Sequence, residues 1–124
     1  MQEESVVYGC IKDSAYDQNV AHRVQANRLA LQALPAAEDW PLISREMFAA
    51  TDHATDIELH TEIVHFGASY RGIEYEWQLW LEQFEALLRE MYWVTVTVHL
   101  ETEMSGTHSF LWETNDEFHE PGSD

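Results

Sequence analysis

The chain has one cysteine, Cys10, one lysine, Lys12, three prolines and five glycines in 124 residues, and it has no long apolar run. Each scarcity excludes something. A single thiol rules out an internal disulfide and leaves a cysteine-based zinc site without ligands. No stretch approaches the ~20 apolar residues of a membrane span. The start, Met1-Gln-Glu-Glu-Ser5, lacks the apolar core of a signal peptide, so a cytosolic (cytoplasmic) protein is expected. Six Lys and Arg stand against 23 Asp and Glu, a formal charge of -17. Such a field repels phosphate backbones and anionic lipid, which argues against direct binding to nucleic acid or membrane.

Chemical signatures are missing as well. There is no P-loop, nucleophile elbow or His-Glu-x-x-His spacing, and Gly67 and Gly72 lack the lysine and hydroxyl of a phosphate loop. No catalytic residue, metal ligand or cofactor is assigned, and a non-enzymatic role is expected. Cys10 has no assignable activating base and reads as a small hydrophobe.

What is present is a foldable composition. Hydrophobic residues make up 45% of the chain, too many for a disordered acidic tail. Its length suits one domain, expected over residues 1–114, with a flexible acidic tail over 115–124 that ends in Pro121-Gly-Ser-Asp124.

Ser5 to Lys12 is β-branched and aromatic and predicts a strand, with Gly9 as a bulge or close-approach point. Ser14-Ala-Tyr-Asp17 has capping-box spacing and predicts a helix from Ala15 to Leu34. Its apolar face would hold Tyr16, Val20, Val24, Leu31 and Leu34, with Arg23, Gln25, Arg28 and Gln32 around the other sides. Asn27 falls inside that stripe, where its amide needs a partner such as a backbone edge. Residues 36–56 are the least regular part, and their short apolar piece, Leu42 to Phe48, fits a short strand or one helical turn equally well. Ile57 to Phe66 alternates as a strand half open to solvent at its start, with His65 as a core or semi-core imidazole, and Gly67 to Gly72 reads as a turn.

Ile73 to Tyr92 has the strongest helical pattern, with Trp77, Trp80, Leu81, Phe84, Leu87, Leu88 and Met91 at spacings of three and four. Trp93 to Glu101 then alternates with Val94, Val96, Val98 and Leu100 inward, and His108 to Glu113 returns as a hairpin arm with Phe110 and Trp112 inward. The order predicts an α+β fold: a mainly antiparallel sheet of four to five strands with two helices packed on one face.

The string His65-Phe-Gly-Ala-Ser-Tyr70, then Trp77-x-x-Trp80-Leu-Glu-x-Phe84-Glu-x-Leu-Leu88, then Trp93, Val98-His-Leu-Glu-Thr102 and Phe110-Leu-Trp112 resembles small acidic immunity proteins of bacterial polymorphic-toxin systems, those beside contact-dependent, Rhs or type VI secreted toxins. The resemblance runs from Val6 to Trp112 and lies in element order and aromatic anchors. It implies a cytosolic antidote that binds one cognate toxin domain. It transfers no contact residue, because such proteins vary most where they touch their toxins.

The expected function is therefore an antitoxin that inhibits a basic, nucleic-acid- or nucleotide-targeting toxin domain through an acidic surface, acting as a monomer or weak homodimer. Candidate contacts are Glu58, His60 and Glu62 on the open strand, Tyr75, Leu79, Glu82 and Glu85 on the second helix, and Glu101, Glu103 and Glu113 on the hairpin. A standard interface of about 800 Å² per partner covers one or two of these patches. Two alternatives belong to other classes: a metal- or ligand-binding enzyme using His60, Glu62 and His99, and a homodimeric adaptor using Tyr75, Leu79 and Ala86.

Overall fold

The structure, a computed structural model, describes residues 4–15, 20–53, 60–115 and 117–122, apart from the side chains of residues 15, 51–53, 60 and 61. Strand β1 (Glu4–Ala15) leads into helix α1 (Val20–Gln32), two 3-10 turns (Ala37–Asp39 and Arg45–Met47), β2 (Phe48–His53) and β3 (His60–Arg71). A 3-10 turn (Ile73–Glu76), helix α2 (Trp77–Leu88) and the hairpin β4 (Thr95–Thr102) and β5 (Gly106–Glu113) follow. The strands form one sheet in the order β2-β3-β1-β4-β5, antiparallel throughout. This is the expected α+β architecture.

Alternation puts Val7 and Ile11 of β1, Val64 and Phe66 of β3, and Val96, Val98 and Leu100 of β4 under the helices, all buried. Helix α2 lays Trp80, Phe84, Leu87 and Leu88 on them, as its spacing predicts. Its rings continue into both edges of the sheet. Phe48 of β2 lies 5.4 Å from Phe66, which lies 5.2 Å from Phe84, and Phe84 lies 5.6 Å from Trp112 of β5. Trp77 and Trp80 stack at 4.9 Å, with Phe110 of β5 5.3 Å from Trp77. At Gly9 the central strands approach so closely that a Cβ would stand 1.9 Å from the Thr97 carbonyl oxygen, which confirms the close-approach reading.

Several expectations need correcting. Strand β1 runs on to Ala15, so Ser14 pairs with Thr61 instead of capping a helix, and Tyr16 and Asp17 lie outside the described residues. Strand β3 also runs on through the expected turn to Arg71, because the first residues of β1 need partners, and only Gly72, at φ 70°, turns the chain. On β3, His65 is exposed on the open face of the sheet.

Helix α1 buries Arg23 and Asn27, while Val20, Val24, Leu31 and Leu34 are half-buried. The reason lies in the sheet beneath. Asp13 and Glu62 are cross-strand partners, both buried, so this corner offers carboxylates to the helix. Arg23 pairs with both oxygens of Asp13, its Nε at 3.0 Å. The guanidinium also lies 4.1 Å from the Phe118 ring centroid and 5.2 Å from that of Tyr92. Asn27 accepts the Tyr92 N–H at 2.7 Å and donates to the Tyr92 carbonyl at 3.0 Å, so the amide does bond a backbone edge. It also donates to Glu62 at 3.4 Å.

The stretch expected to fray is docked over its described part. Trp93 and His119 exchange both backbone hydrogen bonds, and the Gly122 N–H donates to the Arg89 carbonyl at 2.9 Å.

A buried pair of this kind is costly to break and cheap to replace as a unit. Arg23→Met alone is expected to lose about 3–5 kcal/mol in urea unfolding, and Asp13→Leu with Arg23→Met to regain most of it. Equal losses in the single and double variants would contradict this account of the corner.

Candidate functional site

The candidate contact residues fall in three places. Glu58 lies outside the described residues; at the end of the sheet where β3 begins, the side chain of His60 is not described and Glu62 is 3% exposed. Glu62 faces the helices and bonds Asn27, so it contributes to the interior and not to an open acidic strand. Glu113 pairs with Thr95 at this same end. On the outside of α2, Glu82 and Glu85 are exposed, and Leu79 is 46% exposed. Ala86 lines a groove of about 380 Å³ between the helices, together with Ala30 of α1, Ala33 and Leu34 just beyond its end, and Leu87 of α2.

The third place is the opposite end, where β1 begins and β3 and β4 finish, since Glu4 pairs with Arg71 and Ser5 with both Tyr70 and Thr102. Tyr75 and Glu103 lie at this end, whereas Glu101 lies on the open face of the sheet, accepting from Thr107 Oγ1 at 3.3 Å and facing Tyr8. Three connections close this end: residues 35–47, the 3-10 turn after β3, and the β4–β5 turn. Each is tied to the sheet. The Tyr70 hydroxyl donates to the Leu42 carbonyl and accepts the Trp80 indole N–H at 3.1 Å. Ser5 Oγ donates to Glu74 at 2.7 Å, and the Ser105 N–H donates to Thr102 Oγ1 at 2.9 Å.

Each connection presents one large apolar side chain to solvent. Trp40 is 93% exposed, Tyr75 86% and Met104 79%, the three highest values among the exposed large hydrophobic residues described. Each has carboxylates as chain neighbours, in Glu38-Asp39-Trp40, Glu74-Tyr75-Glu76 and Glu103-Met104. With Glu4 and Glu46, these carboxylates outnumber the arginines near this end, Arg45, Arg71 and Arg28, the last lining one groove with Arg45 and Glu46. Arg45 is already 3.6 Å from Glu46. Glu46 also accepts the Ala37 N–H at 2.8 Å, and that bond holds its carboxyl below the ordinary range.

Trp40 carries a further signal. Its backbone is left-handed, at φ 57° and ψ 42°, the single non-glycine residue with positive φ among those described. An L-residue pays about 1–2 kcal/mol there, and Pro41 ahead of it disfavours helical backbone further. Strain of this kind persists where surroundings over-determine it and concentrates at binding sites. Here Trp40 N–H donates to Ala37, Arg45 N–H donates to Pro35, and Ile43 is anchored in the core. Trp40 and Met104 were absent from the sequence candidates. A tryptophan is expected inside, and only topology shows that positions 40, 75 and 104 share one end.

The metal-binding alternative loses its site. Glu62 faces the helices, whereas His99 lies on the open face beside Tyr8, at 5.0 Å between rings. Among the described residues no group of three or more His, Cys, Asp or Glu is placed to hold a metal ion, and no helix is long and apolar enough to cross a membrane. No protein-family model, curated protein or solved structure matches the chain.

Two outcomes follow from this geometry. Burial pushes the Tyr70 phenol above its ordinary value of 10.0, against the N–H that Trp80 donates. The unfolded chain releases this proton near pH 10 while the folded chain keeps it, so stability falls as pH rises past 10. The urea midpoint should decline between about pH 9 and about pH 11, and decline less in Tyr70→Phe. At position 40, the exposed ring contributes no packing while its backbone costs energy. Trp40→Gly is expected to be more stable than Trp40→Ala by about 1 kcal/mol in thermal unfolding; the reverse order would show that the left-handed turn is not strained.

Proposed function

We propose that this chain is a non-enzymatic antitoxin, an immunity protein that binds one basic toxin domain in the cytoplasm and blocks it with the acidic end bearing Trp40, Tyr75 and Met104. The observation that carries this reading is that three exposed apolar side chains, each beside carboxylates in the chain, sit on separately tied connections at one end of the sheet. Exposed aromatics on rigid turns are the raw material of interface hot spots, and a charge of -17 steers basic partners toward them.

The mechanism divides the work. Carboxylates stand where phosphate would stand and pair with the Lys and Arg that a nucleic-acid- or nucleotide-processing toxin uses for substrate. Trp40, Tyr75 and Met104 bury apolar area and slow dissociation. Preorganisation lowers the ordering cost of binding, since the Tyr70, Ser5 and Ser105 hydrogen bonds already hold the three loops. The predominance of carboxylates fits a cationic surface better than a neutral one.

The test begins with capture from the native host on the tagged chain, washed at moderate and then high salt. A single stoichiometric protein with a basic toxin domain is expected, released by salt, its activity abolished by the chain. Trp40→Ala should weaken that complex by about 2 kcal/mol or more, and Glu38→Lys with Glu103→Lys should slow association most at low salt. Glu82→Lys with Glu85→Lys, on the outside of α2, should change it little. An acidic partner, or a complex indifferent to all substitutions at the Trp40 end, would contradict the proposal.

A further inference from the structure

β5 is an edge strand, bonded to β4 on one side and to no described strand on the other. Natural edge strands are guarded by lysine, proline, inward charges or bulges that prevent pairing with another chain. Gly106-Thr-His-Ser-Phe-Leu-Trp112 has none of these: no Asp, Glu, Lys, Arg or Pro, and an unbroken register with β4 from Gly106 to Glu113. In a chain of charge -17, this is a neutral strip on an exposed edge. Thr107, His108 and Ser109 are exposed, and Leu111 is 61% exposed. The described residues beyond β5 lead away from this edge. Thr114 N–H donates to Val94, and residues 119 and 122 bond Trp93 and Arg89, which carries the described C-terminal residues past the end of β4.

We propose that β5 is a self-pairing edge, through which two copies of this chain join antiparallel about a two-fold axis into one continuous sheet. Symmetry limits the register. An axis perpendicular to the sheet keeps both helical layers on the same side, so residues that oppose each other must share a face and one residue meets its own copy; pairing β5 over most of its length makes that residue Ser109 or Phe110. With Phe110 on the axis, Phe110 meets its own copy, Leu111 meets Ser109, Trp112 meets His108 and Glu113 meets Thr107. With Ser109 on the axis, Leu111 meets Thr107. In neither register does a carboxylate within the strand oppose another carboxylate.

A second copy is the occupant that the charges favour. A basic partner gains nothing from an uncharged strip, whereas two acidic chains can approach where the apposed surfaces carry no charge. The rest of each copy still repels the other, so pairing tightens as salt screens it. That sign is opposite to the one expected for a basic partner at the Trp40 end, and the two associations can be told apart without either depending on the other.

Sedimentation velocity of the full chain, from low micromolar to near-millimolar concentration, is expected to show a monomer–dimer equilibrium whose Kd falls by about tenfold between low and high salt. Leu111→Glu and Ser109→Glu, each at an exposed position, should abolish the dimer. Ser69→Glu, an equal charge change at an exposed position on β3, should leave it nearly intact. Hydrogen exchange of the unaltered chain supplies a readout free of mutation: the β5 amides not bonded to β4 should slow as concentration rises. A monomer at every concentration and both salt levels overturns the proposal, as does a dimer that tolerates both β5 substitutions or leaves β5 exchange unchanged.

Discussion

A single aromatic column carries this fold. Phe48, Phe66, Phe84 and Trp112 link the two outer strands through α2, with Trp80, Trp77 and Phe110 alongside. Burial of a large side chain contributes about 1.5–3 kcal/mol, and paired rings add somewhat more. A chain with -17 formal charge repels itself when compact, so cohesion must come from apolar contacts near the centre. The column supplies it across the whole width of the sheet. Loops at either end can then be polar, strained or both, as at Trp40, without costing the molecule its core.

The polar corner beside the column works differently. Asp13, Arg23, Asn27 and Glu62 are buried together, and their hydrogen bonds link α1 to β1, to β3 and to Tyr92. Buried ionic groups rarely add stability over an apolar replacement, but they have directional partners. Asn27 holds both backbone groups of Tyr92, and Arg23 reaches Asp13 while lying over Phe118. Together they fix the register of α1 against β1 and orient the C-terminal segment, which a greasy contact would leave free to slide.

The physics of each element explains how much of this was legible in the chain itself. The α2 stripe and the alternation in β4 were readable because their periods are imposed by one dominant apolar face. The α1 face was readable only at Asn27, whose place in the stripe demanded a partner such as a backbone edge; Arg23, expected on another side, is turned inward by Asp13 on the sheet beneath, about which local periodicity carries no information. The ends of β1 and β3 were misjudged for a related reason. Each strand runs as long as its neighbour offers hydrogen bonds, which overrode the Ser14 capping pattern and the polar composition after Gly67. For the candidate site, Tyr75 and Glu103 were found from residue type, but that they share one end of the sheet with Trp40 and Met104 is a product of strand order. Glu62 was misplaced to the surface for the same reason that Arg23 was.

The central functional claim is that the Trp40 end is the binding surface. Its three anchors are residue types that react readily with hydroxyl radicals, so oxidative footprinting of the chain, free and saturated with its captured partner, measures their cover directly. The account predicts that Trp40, Tyr75 and Met104 lose most of their labelling in the complex while Leu79 on α2 and Tyr8 on the open sheet face keep theirs. Undiminished labelling at position 40 together with protection of Tyr8 or Leu79 would contradict it and move the interface to another face of the molecule.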